Sequence, residues 1–241
     1  MRKTLSHPNL QSLRFERIDL EHAPARTALH HASFSFPTGI VQIRGKQESG
    51  VSALLECLCR LRPPVSGSYY IDDLNVYRAS QREFLPYRRA IGCAFDNRGL
   101  IHSLSLLENL SLPLLYHYGL SETAATEKAV DYLEHFAISG ERELRPSLVS
   151  RASVKFCLLA RAFLLDPVLL VLDEPTRDLS EEKIPLLVDI IHLHQKEHGL
   201  KSVILVCEDS AFLSHFSHHT VHLSEHRLTL DAASVVEGRT A

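Results

Sequence analysis

The sequence lacks an unbroken apolar run of the about 18 residues that a membrane-spanning helix needs. Its longest apolar stretch, from Phe156 to Leu172, is interrupted by Arg161 and by the pair Asp166 and Pro167. The N-terminus begins with basic residues but lacks the apolar core of a signal peptide. We therefore expect a chain that does not insert directly into a membrane.

The chain also lacks a strong charge of either sign. Its formal net charge is -3 and its pI is about 6.6. A protein that binds nucleic acid through phosphate contacts normally carries a clustered positive charge. The composition therefore argues against nucleic acid as a partner.

Cysteines are few, and none of them forms a CxxC pair. The chain has five, and most lie within apolar runs. Such cysteines behave as small buried hydrophobic residues with free thiols. This usage favours a reducing compartment, in agreement with the missing signal peptide.

Histidines are numerous, with 15 in the chain, and two adjacent pairs suggest metal binding at first sight. The pairs are His30 with His31 and His218 with His219. Neither pair is accompanied by cysteine or carboxylate at the spacing of a metal site. We therefore interpret both pairs as solvated surface histidines.

The stretch GKQESGVS has the frame of a phosphate-binding loop, with Gly45, Gly50 and Ser52 at the required spacing. The apolar strand IVQIR precedes it, and the helical pattern SALLECLCRL follows it. A strand, a glycine loop and a helix in this order give such a motif its credibility. However, Val51 stands at the position of the lysine that contacts phosphate.

Apolar strands alternate with amphipathic helices along most of the chain. Strands that are buried on both faces, joined by helices, predict a mostly parallel sheet. No linker rich in glycine, serine or proline divides the sequence, so we expect one domain over residues 1–241 with a helical lobe inserted at about residues 97–156. Strands are predicted in ASFSF and IVQIR, paired around the turn Pro37 to Gly39, and in SGSYYIDDLNVY, RRAIGCAFDN, VLLVLDEP, SVILVCED and TVHLSEHRLTL.

The segment VLLVLDEPT contains the most specific pattern in the chain. A buried strand delivers two carboxylates, Asp173 and Glu174, at its carboxyl end, where ligands of open α/β sheets bind. In nucleotide hydrolysis the first carboxylate holds magnesium and the second orients the attacking water. An ordinary strand with acids at its solvent end would explain the polarity, but not the glycine loop upstream.

Together these motifs resemble the ATP-binding subunit of ABC transporters over nearly the whole chain. FDNRGLIHSLSLLENLSLPL is similar to the Q-loop region of that family, SLVSRASVKFCLLARA to its signature segment, and ILVCED to its switch strand. The resemblance implies an α/β fold: a P-loop NTPase-like core with a central mostly parallel sheet, an N-terminal antiparallel β subdomain and an inserted helical lobe. It implies ATP and Mg²⁺ as cofactors.

Several of the family's phosphate-binding groups are absent at the matching positions of the phosphate loop. The family's lysine falls on Val51, whereas Gly45, Gly50 and Ser52 are retained. Glu48 stands where the family usually has glycine, and a carboxylate repels a polyphosphate. The resemblance therefore predicts a weakened nucleotide site, with the helix N-terminus still able to attract an anion.

The residues that sense metal and γ-phosphate also differ. The Q-loop glutamine falls on Asp96, and the switch histidine falls on Glu208, an anion where an imidazole is needed. If Mg²⁺ binds, the resemblance implies Ser52, Asp96 and Asp173 as its ligands. Glu174 is retained as the catalytic carboxylate, with an open question of whether it is silent.

The signature that faces a partner subunit is altered as well. Its Ser-Gly-Gly-Gln falls on Ser150, Arg151, Ala152 and Ser153. Side chains at two former glycines should hinder approach to the partner's γ-phosphate. The D-loop aspartate falls on Ser180, and the aromatic residue that stacks on adenine falls near His22.

The resemblance implies a degenerate ABC-type subunit with little or no ATP hydrolysis. It would lie on the cytoplasmic face of the membrane, docked on an integral-membrane transporter subunit along the groove beside residues 96–110 and paired with a second ABC subunit in a heterodimer or homodimer. NLSLPLLYHYGL weakly resembles ATPases of lipid-trafficking systems. Two alternatives remain open: a working ATPase in which groups such as Lys46 have taken over, and a soluble regulator without a transporter.

Overall fold

The computed structural model describes residue 8 and residues 10–23, 26–46, 48–96 and 99–231. Its ten strands form two sheets, and its helices cover both faces of the larger one. The strands are β1 Leu13–Ala23, β2 Arg26–Phe36, β3 Gly39–Gly45, β4 Ser66–Ile71, β5 Leu74–Asn75, β6 Ile91–Ala94, β7 Leu169–Asp173, β8 Ser202–Val206, β9 His218–Ser224 and β10 Arg227–Leu230.

The central sheet has the order β10-β9-β3-β8-β7-β6. Its pairs are parallel except for the hairpin of β9 and β10. The smaller sheet, β2-β1-β4-β5, is antiparallel throughout. The predicted fold class is confirmed: a mostly parallel central sheet with an N-terminal antiparallel subdomain.

One predicted pairing is wrong. We expected β2 and β3 to pair around the turn from Pro37 to Gly39, but they belong to different sheets. β2 pairs with β1, whereas β3 lies between β8 and β9. β2 contains both buried and exposed residues, as a strand with one solvent face does, whereas residues 40–43 of β3 are all buried, as in a central parallel strand.

Helices α1, α3, α4, α5 and α6 lie where the sequence predicts helices, and serine caps begin two helices of the lobe. Ser105 and Glu108 form a capping box at α3, and Ser121 caps α4 by accepting a hydrogen bond from the amide of Ala124. The helices are α1 Val51–Leu58, α2 Gln81–Ala90, α3 Leu106–Pro113, α4 Glu122–His135, α5 Arg151–Phe163, α6 Ile184–Glu197 and α7 Ser210–Leu213, with a π-helical turn at Leu114–Tyr118 and 3₁₀ turns at Ser139–Glu141, Pro146–Leu148 and Glu181–Lys183.

Helix α2 was absent from the sequence-based assignment. Ser80 and Glu83 form a capping box at its start, but Pro86 lies inside it and only Phe84 and Ala90 are buried. An internal proline and a nearly continuous polar surface conceal a helix from pattern analysis.

Two hydrophobic cores lie on opposite faces of the central sheet. Along β7, Leu170 and Leu172 pack into the core beneath the helical lobe, whereas Leu169 and Val171 pack into the core shared with α1 and the antiparallel sheet. This alternation explains the unbroken apolar pattern of the strand. Four of the five cysteines are buried, and all five are free thiols. Across the described residues, we find no helix that is long and apolar enough to cross a membrane.

Candidate functional site

The candidate site lies where the parallel strands end. β3 ends at Gly45, β7 at Asp173 and β8 at Val206, and all three run in the same direction. The carboxyl ends of parallel strands form one edge, where open α/β sheets bind ligands. The fold therefore brings Gly45, Asp173 and Glu174 to a common edge, as the sequence predicted.

The two glycines of the phosphate loop are needed for close packing, Gly50 against β2 and Gly45 within the loop itself. Gly50 has φ +89°, a region that favours glycine, and a Cβ atom there would lie 2.3 Å from the Cβ of Ala28. A Cβ atom at Gly45 would lie 2.4 Å from the Oγ of Ser49 and 2.5 Å from a methyl group of Val51. Both glycines therefore have structural reasons to be present that do not involve a nucleotide.

Val51 fills space in the loop where a lysine would reach toward phosphate. It begins α1, it is partly buried, and its side chain packs against the core on that face of the sheet. One of its methyl groups lies beside Gly45. Lys46, the proposed substitute, is exposed, and so is Ser52. An apolar group thus occupies the position of the loop's cation.

Glu48 adopts a backbone conformation that suits glycine better. Its φ is +69°, and its carboxylate lies 3.1 Å from the guanidinium of Arg26 in an exposed ion pair. A non-glycine residue in this region costs about 1–2 kcal/mol. The predicted loss of glycine at this position is thus accompanied by backbone strain.

His22 lies beside the loop. A Cβ atom at Gly50 would lie 3.2 Å from the Cβ of His22, and the Nδ1 of His22 is 3.1 Å from the carbonyl oxygen of Arg26. Its half-buried imidazole is therefore near the loop, where the resemblance placed an adenine-stacking group. Its role in stacking stays a prediction.

Asp96 is held by two cations of the chain itself. Lys155, on α5 and only 3% exposed, donates to Oδ1 of Asp96 at 2.9 Å and to the backbone carbonyl of Glu174 at 3.0 Å. Arg177 donates to Oδ2 of Asp96, and its guanidinium lies 3.7 Å from the carboxylate of Glu174. We call Asp96, Lys155, Glu174 and Arg177 the internal cation cluster.

The internal cation cluster separates the acidic groups by their electrostatics. Burial opposes ionisation of Asp96, but hydrogen bonds and charges from Lys155 and Arg177 hold its pKa below the ordinary value. Burial, with the charge of Asp96 nearby, raises the pKa of Asp173. Burial also raises the pKa of Glu174, against the attraction of Arg177. Lys155 and Arg177 therefore stabilise mainly the ionised form of Asp96.

The prediction that Asp96 could be a magnesium ligand conflicts with this arrangement. Both of its carboxylate oxygens are engaged by cations, so a metal ion would have to share them with Lys155 and Arg177. A divalent ion placed beside two fixed positive charges is repelled. Ser52 and Asp173 are left as possible protein ligands, and Mg²⁺ held by them would fill its remaining octahedral positions with water and substrate phosphates.

The signature segment forms the start of α5. Ser150 is its N-cap and accepts a hydrogen bond from the amide of Ser153 at 3.1 Å, and the two hydroxyl oxygens are 2.9 Å apart. Ser153 is buried and Ala152 is half-buried, whereas the side chain of Arg151 is 86% exposed and lies 3.9 Å from Asp178. Ser150 is exposed as well, so Ser150 and Arg151 are the two signature residues that could face a partner.

The switch position holds an exposed carboxylate whose charge acts on Glu174. Glu208 follows β8 and is exposed, and its charge contributes to the raised pKa of Glu174. Asp209 caps α7 by accepting a hydrogen bond from the amide of Phe212 at 3.0 Å. Ser180, at the D-loop position, is exposed and precedes the 3₁₀ turn Glu181–Lys183.

Sequence reasoning missed Lys155 and Arg177. A single lysine among the apolar residues of SVKFCLLARA was a usable signal, because a buried lysine requires an anionic partner. Arg177 follows the DEPT segment directly and gave no comparable signal. The partner of both, Asp96, is distant in sequence.

Comparison with known proteins gives a consistent result. Residues 29–177 match the sequence profile of the family described as ABC transporter. The chain is 27% identical over 213 residues to the methionine import ATP-binding protein MetN of Bartonella henselae, covering 88% of this chain and 60% of that protein. It is 27% identical over 219 residues to the phosphonates import ATP-binding protein PhnC 2 of a Synechococcus strain, covering 88% and 81%.

Solved structures show the same fold. The ATP-binding cassette MJ0796, in a dimeric structure of a post-hydrolysis state bound to ADP and Pi, has a TM-score of 0.79 at 21% identity and covers 94% of this chain and 100% of that one. A second dimeric structure of that bacterial ABC transporter cassette has a TM-score of 0.81, also at 21% identity, with the same coverage.

Proposed function

The chain belongs to the ABC transporter family, and we propose that it serves as an ATP-binding-type subunit of an import system whose own site does not hydrolyse ATP. It would act through its surfaces, as a structural or regulatory partner, rather than by turnover.

The internal cation cluster carries this proposal. A hydrolytic site needs its cations on the phosphates and its acids free to hold metal and water. Here Lys155 and Arg177 bind Asp96, which follows β6. The phosphate loop, which follows β3, holds Val51 instead of a lysine. The positive charge is thus used within the protein instead of on a ligand.

The expected kinetic consequence is large. Loss of one preorganised donor to a reacting group costs about 2.7–4 kcal/mol, or a factor of about 100–1,000 in rate. Val51 and Glu208 each remove such a group, although losses within one site are not additive. Even one of these losses would leave hydrolysis at about a hundredth of the rate of a competent site or less.

The proposed partners are a second ABC-type subunit and an integral-membrane transporter subunit on the cytoplasmic side. The similarity to a cassette solved as a dimer supports the first. Partly exposed apolar residues support the second: Ile101 is exposed, and Leu104 and Leu107 are half-buried beside the Q-loop position. Leu106, which we also assigned to this groove, is fully buried and belongs to the core.

The class of substrate is proposed from the relatives. Their names refer to import of methionine and of phosphonates, so a small polar solute is the leading candidate. Neither is named for lipid transport, and the comparison gives that hypothesis no support. The chain spans only 60% of the methionine import protein, so the relative's full activity is not carried over.

The decisive experiment is an ATPase assay of the purified chain, alone and with its copurifying membrane partner, against a matched Glu174→Gln variant. Any contaminating ATPase remains in both preparations, whereas hydrolysis by this site requires Glu174. We expect the two rates to be equal. A rate that falls on Glu174→Gln would overturn the proposal and favour the working ATPase.

A binding measurement distinguishes a site that binds ATP without hydrolysing it from a site that binds no ATP. Calorimetric titration with ATP, with and without Mg²⁺, is compared between the wild type and Val51→Lys. We expect Mg²⁺ to leave the wild-type affinity unchanged, because Asp96 is occupied. Tight, magnesium-dependent binding by the wild type would contradict this expectation. In the purification for the ATPase assay, absence of any copurifying membrane subunit would favour the soluble regulator.

A further inference from the structure

A second group of acid and imidazole side chains lies at the other end of the central sheet. Asp166 lies in the loop between α5 and β7, and His194 and His198 lie one helical turn apart at the end of α6. One potential metal-ligating atom from each residue lies within 4.8 Å of the other two. We call these three residues the Asp166 cluster.

The Asp166 cluster is distinct from the candidate nucleotide site. Asp166 precedes the amino end of β7, whereas Asp173 and the internal cation cluster lie at its carboxyl end. The amide of Leu200, which leads into β8, donates to the carbonyl of His194 at 3.1 Å. The two sites are thus separated by the length of the strand.

The contacts of Asp166 are polar and replaceable. Its Oδ1 lies 3.0 Å from Nδ1 of His198 and accepts a hydrogen bond from the hydroxyl of Tyr132 at 3.2 Å. Its Oδ2 lies 3.5 Å from the ammonium of Lys128. The rings of His194 and His198 are stacked, with centroids 4.5 Å apart.

His194 is the unusual member of the cluster. It is only 3% exposed, and its Nδ1 has no hydrogen-bond partner among the described residues. A buried polar atom without a partner costs about 1–3 kcal/mol. A metal ion binds the unprotonated nitrogen of an imidazole, so it would supply the partner that this buried ring lacks.

We propose that Asp166, His194 and His198 bind a divalent transition-metal ion, with Zn²⁺ as the best match. Two imidazoles and one carboxylate form the ligand set of three-residue zinc sites, with water at the fourth position. Mg²⁺ and Ca²⁺ prefer oxygen ligands only. Histidines four residues apart on one helix present two nitrogens on one face. Tyr132 would remain on the carboxylate and orient it.

Lys128 is the competitor that the metal must displace. Its ammonium lies beside Asp166 and also near the rings of Tyr118 and Tyr132, at 5.6 and 5.8 Å from their centroids. A flexible lysine side chain can withdraw toward these rings when a metal binds. Its removal should therefore tighten metal binding, a result that a merely structural cluster does not predict.

A second cluster provides the control. Asp19, His30 and His31 also place ligating atoms within 4.8 Å, which corrects our expectation that no carboxylate accompanies the histidine pair. Both histidines are exposed and both contact the carboxylate of Asp19, at 3.0 and 3.1 Å. The amide of His31 and the hydroxyl of Ser66 also donate to Asp19. No buried orphan nitrogen lies there, so we infer no metal site.

The test is calorimetric titration of the full chain with Zn²⁺, repeated with three variants. His198→Gln removes a ligand whose side chain is 36% exposed, and Asp166→Asn suits the positive φ of residue 166, which asparagine tolerates. Each should weaken Zn²⁺ binding at least about tenfold. Lys128→Met should strengthen it. The control His30→Gln with His31→Gln should leave the affinity unchanged.

Spectroscopy gives a readout that does not depend on stability. Co²⁺ in a tetrahedral site with nitrogen and oxygen ligands absorbs visible light strongly, and this band should appear in the wild type and disappear in His198→Gln. Thermal melts of the metal-free variants verify that they are folded. Equal Zn²⁺ affinity in the wild type, His198→Gln and Asp166→Asn would overturn the proposal, as would loss of binding in the control alone.

Discussion

The two ends of the central sheet hold their carboxylates in different ways. At the carboxyl end, Asp96 is neutralised by two permanent cations, Lys155 and Arg177. At the amino end, Asp166 is contacted by a lysine, a tyrosine and an imidazole, and a buried neutral histidine lies beside it. Asp96 at the first end is thus held by two cations of the chain, whereas the second end contains a buried imidazole nitrogen without a hydrogen-bond partner among the described residues.

Under the proposed function, similarity to a binding site and capacity to bind are separate properties. The carboxyl end has the glycines, the acids and the strand order of a nucleotide site, but its two cations, Lys155 and Arg177, bind Asp96. The amino end belongs to no predicted motif, yet its groups match a metal's requirements. Charge pairing within the folded chain, more than motif content, decides which end can accept a cation.

The largest effect that we expect comes from Lys155→Met. Its ammonium is almost fully buried against Asp96, and removal of one partner of a buried pair costs about 3–5 kcal/mol. Because Arg177 remains on Asp96, we expect about 3 kcal/mol of lost unfolding free energy, measured by urea denaturation. Arg177→Gln is the matched control, with under about 1 kcal/mol, since its side chain is 53% exposed. Equal effects of the two substitutions would contradict the picture of a buried pair.

Gly50→Ala tests whether the phosphate-loop frame is kept for packing. Gly199 has a similar φ of +75° but open space around it, so Gly199→Ala should cost only backbone strain of about 1–2 kcal/mol. Gly50→Ala adds a clash with Ala28, worth about 1 kcal/mol or more, without any nucleotide present. Thermal unfolding compares the two. If Gly50→Ala lowers stability no more than Gly199→Ala does, Gly50 is not kept for packing and would serve a ligand instead.

The amino end should make stability depend on pH. Burial lowers the pKa of His194 from 6.5 to about 4, so as pH falls the unfolded state takes up a proton first. Stability from this group is full above the unfolded pKa and is lost as pH falls toward the folded pKa. From about pH 7.5 to about pH 5 we expect a loss of about 2 kcal/mol in urea denaturation.

The variant His194→Met should flatten this pH dependence. An exposed histidine, His215, supplies the control, and His215→Gln should retain the wild-type profile. If the profile of His194→Met keeps its slope, the titration belongs to another group and the contrast between the two ends is weaker.

Arg151→Ala should have the smallest effect. Its side chain is 86% exposed, and its ion pair with Asp178 spans 3.9 Å. Exposed pairs of this length contribute little, so we expect a change below about 0.5 kcal/mol in unfolding free energy. A loss of pairing with a second ABC-type subunit, without a loss of stability, would assign Arg151 to the interface. A large loss of unfolding free energy would instead mean that Arg151, like the residues of the internal cation cluster, stabilises the fold.

Much of the fold could be predicted, because local patterns determine it. The apolar runs of β7 and β8, the glycine loop before α1 and the cap Ser121 all appeared where the sequence indicated. The assignment of β2 and β3 to different sheets was not predicted, because adjacent strands pair by default and only long-range packing separates them.

The candidate site was predicted only as a set of positions. Gly45, Asp173 and Glu174 meet at one edge because strand direction fixes their place. The pairing of Lys155 with Asp96 depends on how α5 packs beneath β6 and β7, which no local pattern encodes. The proximity of Asp19 to His30 and of Asp166 to His194 also depends on long-range packing and could not be predicted from the sequence.

The presence of Val51 beside Gly45, together with the altered positions Asp96 and Glu208, has an evolutionary consequence. A chain in which only position 51 reverted to lysine would still hold Asp96 between two cations and would still present Glu208 at the switch position. Under the proposed function, no single substitution toward the family's residues would restore turnover, so natural selection would have no advantage on which to act at each separate step. We expect that a descent line which has reached this arrangement keeps it, and that any later changes refine its contacts with other subunits.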